Sequence, residues 1–330
     1  LNRIRLGNQV SAAIFHTFAG ISMFKQYLLY SRPPFQLLVF SALFFMGLLL
    51  GTYLTEWLNQ QLIGLSSSGM AEFKSIPEQY IGAVKWVNAI ALIVVILLPA
   101  ALYAYLSHPQ PLQYLKLHRL PGALFILIGV LLFLVSMPAV GWMEAWGARL
   151  PMGDEIKKMD EHYSMVSRSI LSTKLWSQFW ISTITICLLP AIVEEIFFRA
   201  CVQTTLLRMM KSNPVMAIII TAVVFSALHG QLSGLIPRVY LGLILGLVFY
   251  FSGSLWLSIL LHFINNFLSV LLMFMYHRGV IAWDVSSIGN IPLWMALLSM
   301  GLTAGGLYFL YTRRQTFEVE DWSEISSKPQ

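Results

Sequence analysis

Eight runs of apolar residues, near 35–55, 81–106, 121–143, 176–205, 214–229, 236–252, 255–276 and 291–312, alternate with shorter polar stretches along the chain. A helical run of about 20 apolar residues matches the roughly 30 Å hydrocarbon core of a bilayer. Lipid offers no hydrogen bonds, so a spanning segment must satisfy its own backbone, which leaves helices and closed barrels as the choices. Runs of this length, without polar alternation, predict an all-α polytopic membrane bundle of about eight transmembrane helices. The fifth and sixth runs are short for a straight crossing and predict tilted or bent helices. With 57% hydrophobic and 11% charged residues, the composition excludes an ordinary soluble domain. The net charge of +6 suits anionic lipid headgroups and requires no nucleic acid.

The organisation follows from the runs. Residues 1–34 form an N-terminal cytoplasmic or interfacial segment, and residues 35–175 hold the first spans and their loops. Residues 176–276 form a core, 277–314 a last loop and span, and 315–330 an acidic tail expected to be disordered. The stretch "VSAAIFHTFAGISMF" near the start, flanked by basic residues, reads as an interfacial amphipathic helix, because no small-residue cleavage site follows it. A modest excess of Lys and Arg on the side of both termini predicts that side to be cytoplasmic. Residues 144–175 form the longest loop, with a solvated cluster of mixed charges from Asp154 to Glu161. Cys187 and Cys201 give neither a disulfide framework nor a zinc-knuckle spacing and read as packing residues.

The stretch "LPAIVEEIFFRACVQ", residues 189–203, sets three charges in a membrane span. Each costs roughly 2.5–3.5 kcal/mol at the centre of a span, so such residues face the bundle interior and mark function. Glu195 and Arg199 are four apart, on one helical face, and can pair. Glu194 points about 100° away with no local partner. Pro190 lacks a backbone N–H and should bend the span just before the glutamates. Two further polar sites follow. His229 closes "VVFSALHG", and His262 and Asn266 share one face of "LLHFINNFLSV". A lone membrane histidine is more often a helix–helix hydrogen bond, but here four such groups lie on three separate deep segments. The other histidines, His16, His108, His118, His162 and His277, read as solvated.

These residue types suit attack of water on a carbonyl. Glutamate with a neutral imidazole can hold and deprotonate a water. With the second histidine the same set, Glu194, His229 and His262, can bind zinc or another divalent metal that lowers the pKa of that water. An asparagine amide, with or without a histidine N–H, can donate to the resulting oxyanion. The chemistry so described is peptide-bond hydrolysis.

"EEIFFR" (Glu194–Arg199), "FSALH" (Phe225–His229) and "HFINN" (His262–Asn266) resemble, in order and on separate helices, the EExxxR, FxxxH and HxxxN motifs of the CAAX protease and bacteriocin-processing family of intramembrane proteases. The resemblance covers about 176–276, with Ala200 where glycine is common. It implies that Glu194 and His229 activate water, that His262 and Asn266 stabilise the oxyanion, and that Glu195 with Arg199 organises the site. It further implies a glutamate- or metal-dependent peptidase in a multi-pass membrane protein, acting on a membrane-associated peptide or protein that can carry a lipid. Eukaryotic members trim three residues from prenylated CAAX proteins. Two other classes use similar residues. An ion-coupled transporter would show paired discontinuous helices in two symmetric halves, which the sequence lacks. A non-catalytic immunity or scaffold protein would keep the motifs for structure alone. The position of Glu194 in the second half of its span, shortly before Arg208 and Lys211, predicts a site nearer the cytoplasmic face.

Overall fold

A computed structural model describes residues 27–71, 76–282 and 291–315. Nine helices carry the architecture: α1 (Pro33–Leu62), α2 (Glu78–Ser107), α3 (Ala123–Gly147), α4 (Asp154–Leu171), α5 (Trp176–Met209), α6 (Pro214–Ala227), α7 (Leu235–Ser252), α8 (Leu255–His277) and α9 (Leu293–Thr312). Seven are long and apolar enough to cross a membrane, and the described residues contain no strand, so the chain is an all-α, multi-pass integral membrane protein. The exception among the eight expected spans is α6. Its 14 residues cover about 21 Å, short of the roughly 30 Å hydrocarbon thickness. The expected N-terminal amphipathic helix and disordered acidic tail fall almost wholly outside the described residues.

Residues 144–175 differ from the expected loop, because 18 of them form α4. Asp154 and Glu155 in its first turn and Arg168 in its last complement the helix dipole. Ile156, Met159, Tyr163, Val166 and Ile170 recur at helical spacing, so the segment is amphipathic without being apolar overall. A search for apolar runs passes over such a helix. His108, expected to be solvated, is buried beside α2, with Nδ1 2.9 Å from the N–H of Gln110.

Prolines shape the spans. In α2 and α5 a wide π-helical stretch precedes a proline: Ile93–Leu97 before Pro99, and Thr183–Leu188 before Pro190. A proline ring has no N–H for the carbonyl four residues back and clashes with it, and a wider turn relieves the clash. A third such stretch, Ile196–Gln203, follows Glu195 and is buried throughout. In α3, next to Pro138, the Ser299 hydroxyl from α9 enters the helix ladder. It accepts from Ala139 N–H at 3.2 Å and donates to Val135 O at 2.6 Å.

The most enclosed span is α5. On one side the Lys85 ammonium of α2 donates to Gln178 Oε1 at 3.1 Å. Free Cys187 and Cys201 are both buried in α5 as packing residues. On the other side α6 and α7 form an antiparallel hairpin against it. Gln203 of α5 donates to Gly246 O of α7 at 2.9 Å. A Cβ at Gly246 would lie 2.7 Å from Ile218 Cγ2 and 2.8 Å from Gln203 Oε1, so three helices meet there only because the side chain is absent. Gly246→Val should therefore destabilise the protein by about 1–3 kcal/mol, read as a lower unfolding temperature in detergent. An unchanged temperature would show that the contact gives way freely.

Candidate active site

The deep polar residues converge. Glu194, His229, His262 and Asn266 line one cavity of about 350 Å³, whose other lining residues come from α3, α4, α5, α6, α7 and α8. Because α6 stops at Ala227, the chain turns at the depth of the cavity and sets His229 there instead of at the far surface. The helix end also leaves late carbonyls without partners. One of them, Phe225 O, lies 2.8 Å from His229 Nδ1. A carbonyl only accepts, so Nδ1 carries the proton and Nε2 of the neutral ring presents a lone pair. That Nε2 lies 3.9 Å from Glu194 Oε2.

His262 is fixed in the same sense from the other side. Its Nδ1 lies 2.9 Å from Glu195 Oε1, and its Nε2 lies 3.9 Å from the same Glu194 oxygen. Glu194 Oε2 is buried and has no hydrogen-bond partner. Two imidazole nitrogens and one carboxylate oxygen thus surround a gap too wide for direct hydrogen bonds and suited to a bridging water.

Glu195 and Arg199 are both fully buried, with Glu195 Oε2 3.1 Å from Arg199 Nε. The contact is out of hydrogen-bond alignment, and none of the guanidinium nitrogens has an aligned acceptor, so Arg199 acts on Glu195 as a charge. Its guanidinium carbon lies 5.0 Å from the centre of the Phe225 ring. That ring also meets His229 at 4.8 Å and His262 at 6.0 Å between centroids. Phe225 therefore serves the site twice, by its carbonyl and by its ring.

Asn266 explains Pro190. Without an N–H, Pro190 leaves Ile186 O short of its helical donor, and Asn266 Nδ2 lies 3.3 Å from that carbonyl. The second N–H of the amide is left for the cavity. Asn265, which also lines the cavity, donates to Asn266 Oδ1 at 3.1 Å and turns the amide nitrogen toward Ile186.

The cavity extends to Tyr163 and Leu171 of α4, at the opposite end of α5 from Arg208. Arg208 is instead buried against Gln36, Tyr114 and Thr205. Sequence reasoning missed Asn265, Tyr163 and Arg238 as lining residues. Adjacency to Asn266 and a lone arginine at the start of an apolar run were usable signals for two of them. Tyr163 offered none.

As metal donors, Glu194, His229 and His262 fit in kind, and the Nδ1 contacts resemble those that orient metal-bound imidazoles. The 3.9 Å separations exceed the roughly 3.4 Å between two tetrahedral zinc ligands. Among the described residues no three such side chains are assembled closely enough to hold an ion as they stand.

Fold and site together define a polytopic membrane protein with an acid, imidazole and amide constellation that lines one cavity. Residues 176–268, less than a third of the chain, match the family model described as type II CAAX prenyl endopeptidase Rce1-like. In this segment the chain is similar to type II CAAX prenyl endopeptidases, which are intramembrane proteases. Comparisons with curated proteins and with solved structures give no match.

Proposed function

We propose that the chain is an intramembrane endopeptidase in which Glu194 and His229 activate a water for attack on a peptide carbonyl. The observation that carries the reading is the unpartnered Glu194 Oε2, 3.9 Å from two oriented Nε2 atoms. A water there gives one hydrogen to the carboxylate and the other to His229 Nε2, which leaves an oxygen lone pair free for the carbonyl carbon. As the C–O bond forms, Glu194 takes the water's proton. The oxyanion is met by the second N–H of Asn266 and, when its ring is protonated, by Nε2–H of His262. The proton then passes to the leaving nitrogen, the C–N bond breaks, and a carboxylate and an amine result. Glu195, anchored by Arg199, holds the His262 ring in place.

Were zinc or another divalent ion bound, Glu194, His229 and His262 would hold it, and it would supply a water of lowered pKa. The substrate class is a membrane-associated, lipid-modified protein whose flexible end enters the cavity, whose size takes a short peptide segment.

Purified protein in detergent, incubated with a farnesylated peptide that has three residues after the modified cysteine, should release those residues, as read by mass spectrometry. No cleavage of this or any other membrane-anchored peptide would remove the reading. Because the spacings suit a water, activity should survive exhaustive chelation at substoichiometric metal content. Loss on chelation, restored by one divalent ion, would put the ion in the gap.

A further inference from the structure

Arg238 is the one permanently charged cation among the residues that line the cavity, and the mechanism does not use it. Its location at the start of α7 is constructed by the α6–α7 loop. Arg238 Nη1 donates to Gln231 O at 3.2 Å, and Nη2 to Gln231 Oε1. Both acceptors are neutral and fix the direction of the guanidinium, while the carboxylates of Glu144, Asp160 and Glu194 act on its charge through space without an ion-pair contact to it. Gln231 is in turn held by α4, its Nε2 donating to Ser164 Oγ at 3.1 Å. Asp160 Oδ1 accepts from Leu232 N–H at 3.0 Å. Gly234 completes the cradle. A Cβ there would lie 2.6 Å from Cζ and both terminal nitrogens, so the guanidinium rests on bare backbone.

We infer that Arg238 binds the free α-carboxylate at the C-terminus of the substrate. A chain end that enters a membrane cavity brings one unavoidable charge, and its desolvation must be offset. A carboxylate matches the planar fork of a guanidinium, whereas an amino terminus would be repelled by it. Glu194 then faces the scissile bond while Arg238 holds the chain end, and the distance between them sets how many residues are released. The inference rests on the peptidase reading for the scissile bond but not for the binding itself.

The test uses two versions of the farnesylated peptide, one ending in a free acid and one in an amide, labelled with a fluorophore. Binding is measured by anisotropy on Glu194→Gln protein, which blocks turnover, and KM and kcat are measured on protein with native Glu194. The acid should bind about 10- to 100-fold more tightly than the amide, with the difference in KM. Arg238→Gln should weaken the acid alone and erase the preference. Arg238→Lys, which keeps the charge and loses the fork, should retain part of it and covers the case in which Arg238→Gln fails to fold. Equal binding of acid and amide, no binding of either, or a preference that survives Arg238→Gln would overturn the assignment. A preference for the acid without cleavage by the native site would leave Arg238 assigned and remove the peptidase reading.

Discussion

Glu194→Gln protein should accumulate and unfold like the wild type while cleaving substrate at least about a hundredfold more slowly, the low end of general-base contributions. The amide keeps the shape of the carboxylate and can still accept a hydrogen bond, but it cannot take the water's proton. Folding should be spared because Glu194 Oε2 makes no hydrogen bond in the protein, so the amide replaces it without breaking one. Turnover and thermal unfolding in one detergent give both halves of the expectation. Near-normal turnover in this variant would take Glu194 out of the chemistry.

Arg199→Ala should fail in the opposite way, through the fold. Removing the guanidinium leaves the fully buried Glu195 carboxylate without its counter-charge and opens the space beside Phe225. Breaking a buried pair from one side costs about 3–5 kcal/mol, a large share of the stability of an ordinary domain. Low yield and a lowered unfolding temperature are expected, with Arg199→Lys, which restores the charge, recovering part of both. Normal yield and melting of Arg199→Ala would show that the pair contributes little. Glu195→Gln occupies a middle position, since it removes the charge facing Arg199 and also alters the acceptor on His262 Nδ1. Both stability and rate should fall.

Much of this site could be read from the sequence, because charges are expensive in lipid and therefore conspicuous. Glu194, Arg199, His229, His262 and Asn266 stood out against apolar runs, and helical spacing correctly placed Glu195 with Arg199. What spacing could not reveal were contacts between helices. The bond from Glu195 to His262 joins positions 67 apart, and it gives Glu195 a part in aiming an imidazole that its pairing with Arg199 did not suggest. The Asn266 contact with Ile186 O is of the same kind, although Pro190 announced that a carbonyl would need another donor. In the fold, apolar runs revealed the spans but not α4, whose apolar residues are periodic and not continuous. Nor could hydropathy place the end of α6, since the apolar run continues to residue 229 while the helix stops at Ala227.

The two adjacent glutamates are chemically identical, and what separates them is phase. A π-helical turn holds an extra residue, so the stretch at Thr183–Leu188 sets every later side chain back around the helix axis by one residue's step relative to an unbroken α-helix. An α-helix turns about 100° per residue. Tightening that turn to an α-helical one with every residue kept would carry Glu194 to the direction that Glu195 now has, away from the two imidazoles. Which of the two acids faces the cavity is thus a matter of angular bookkeeping, kept by a wide turn and the proline that follows it.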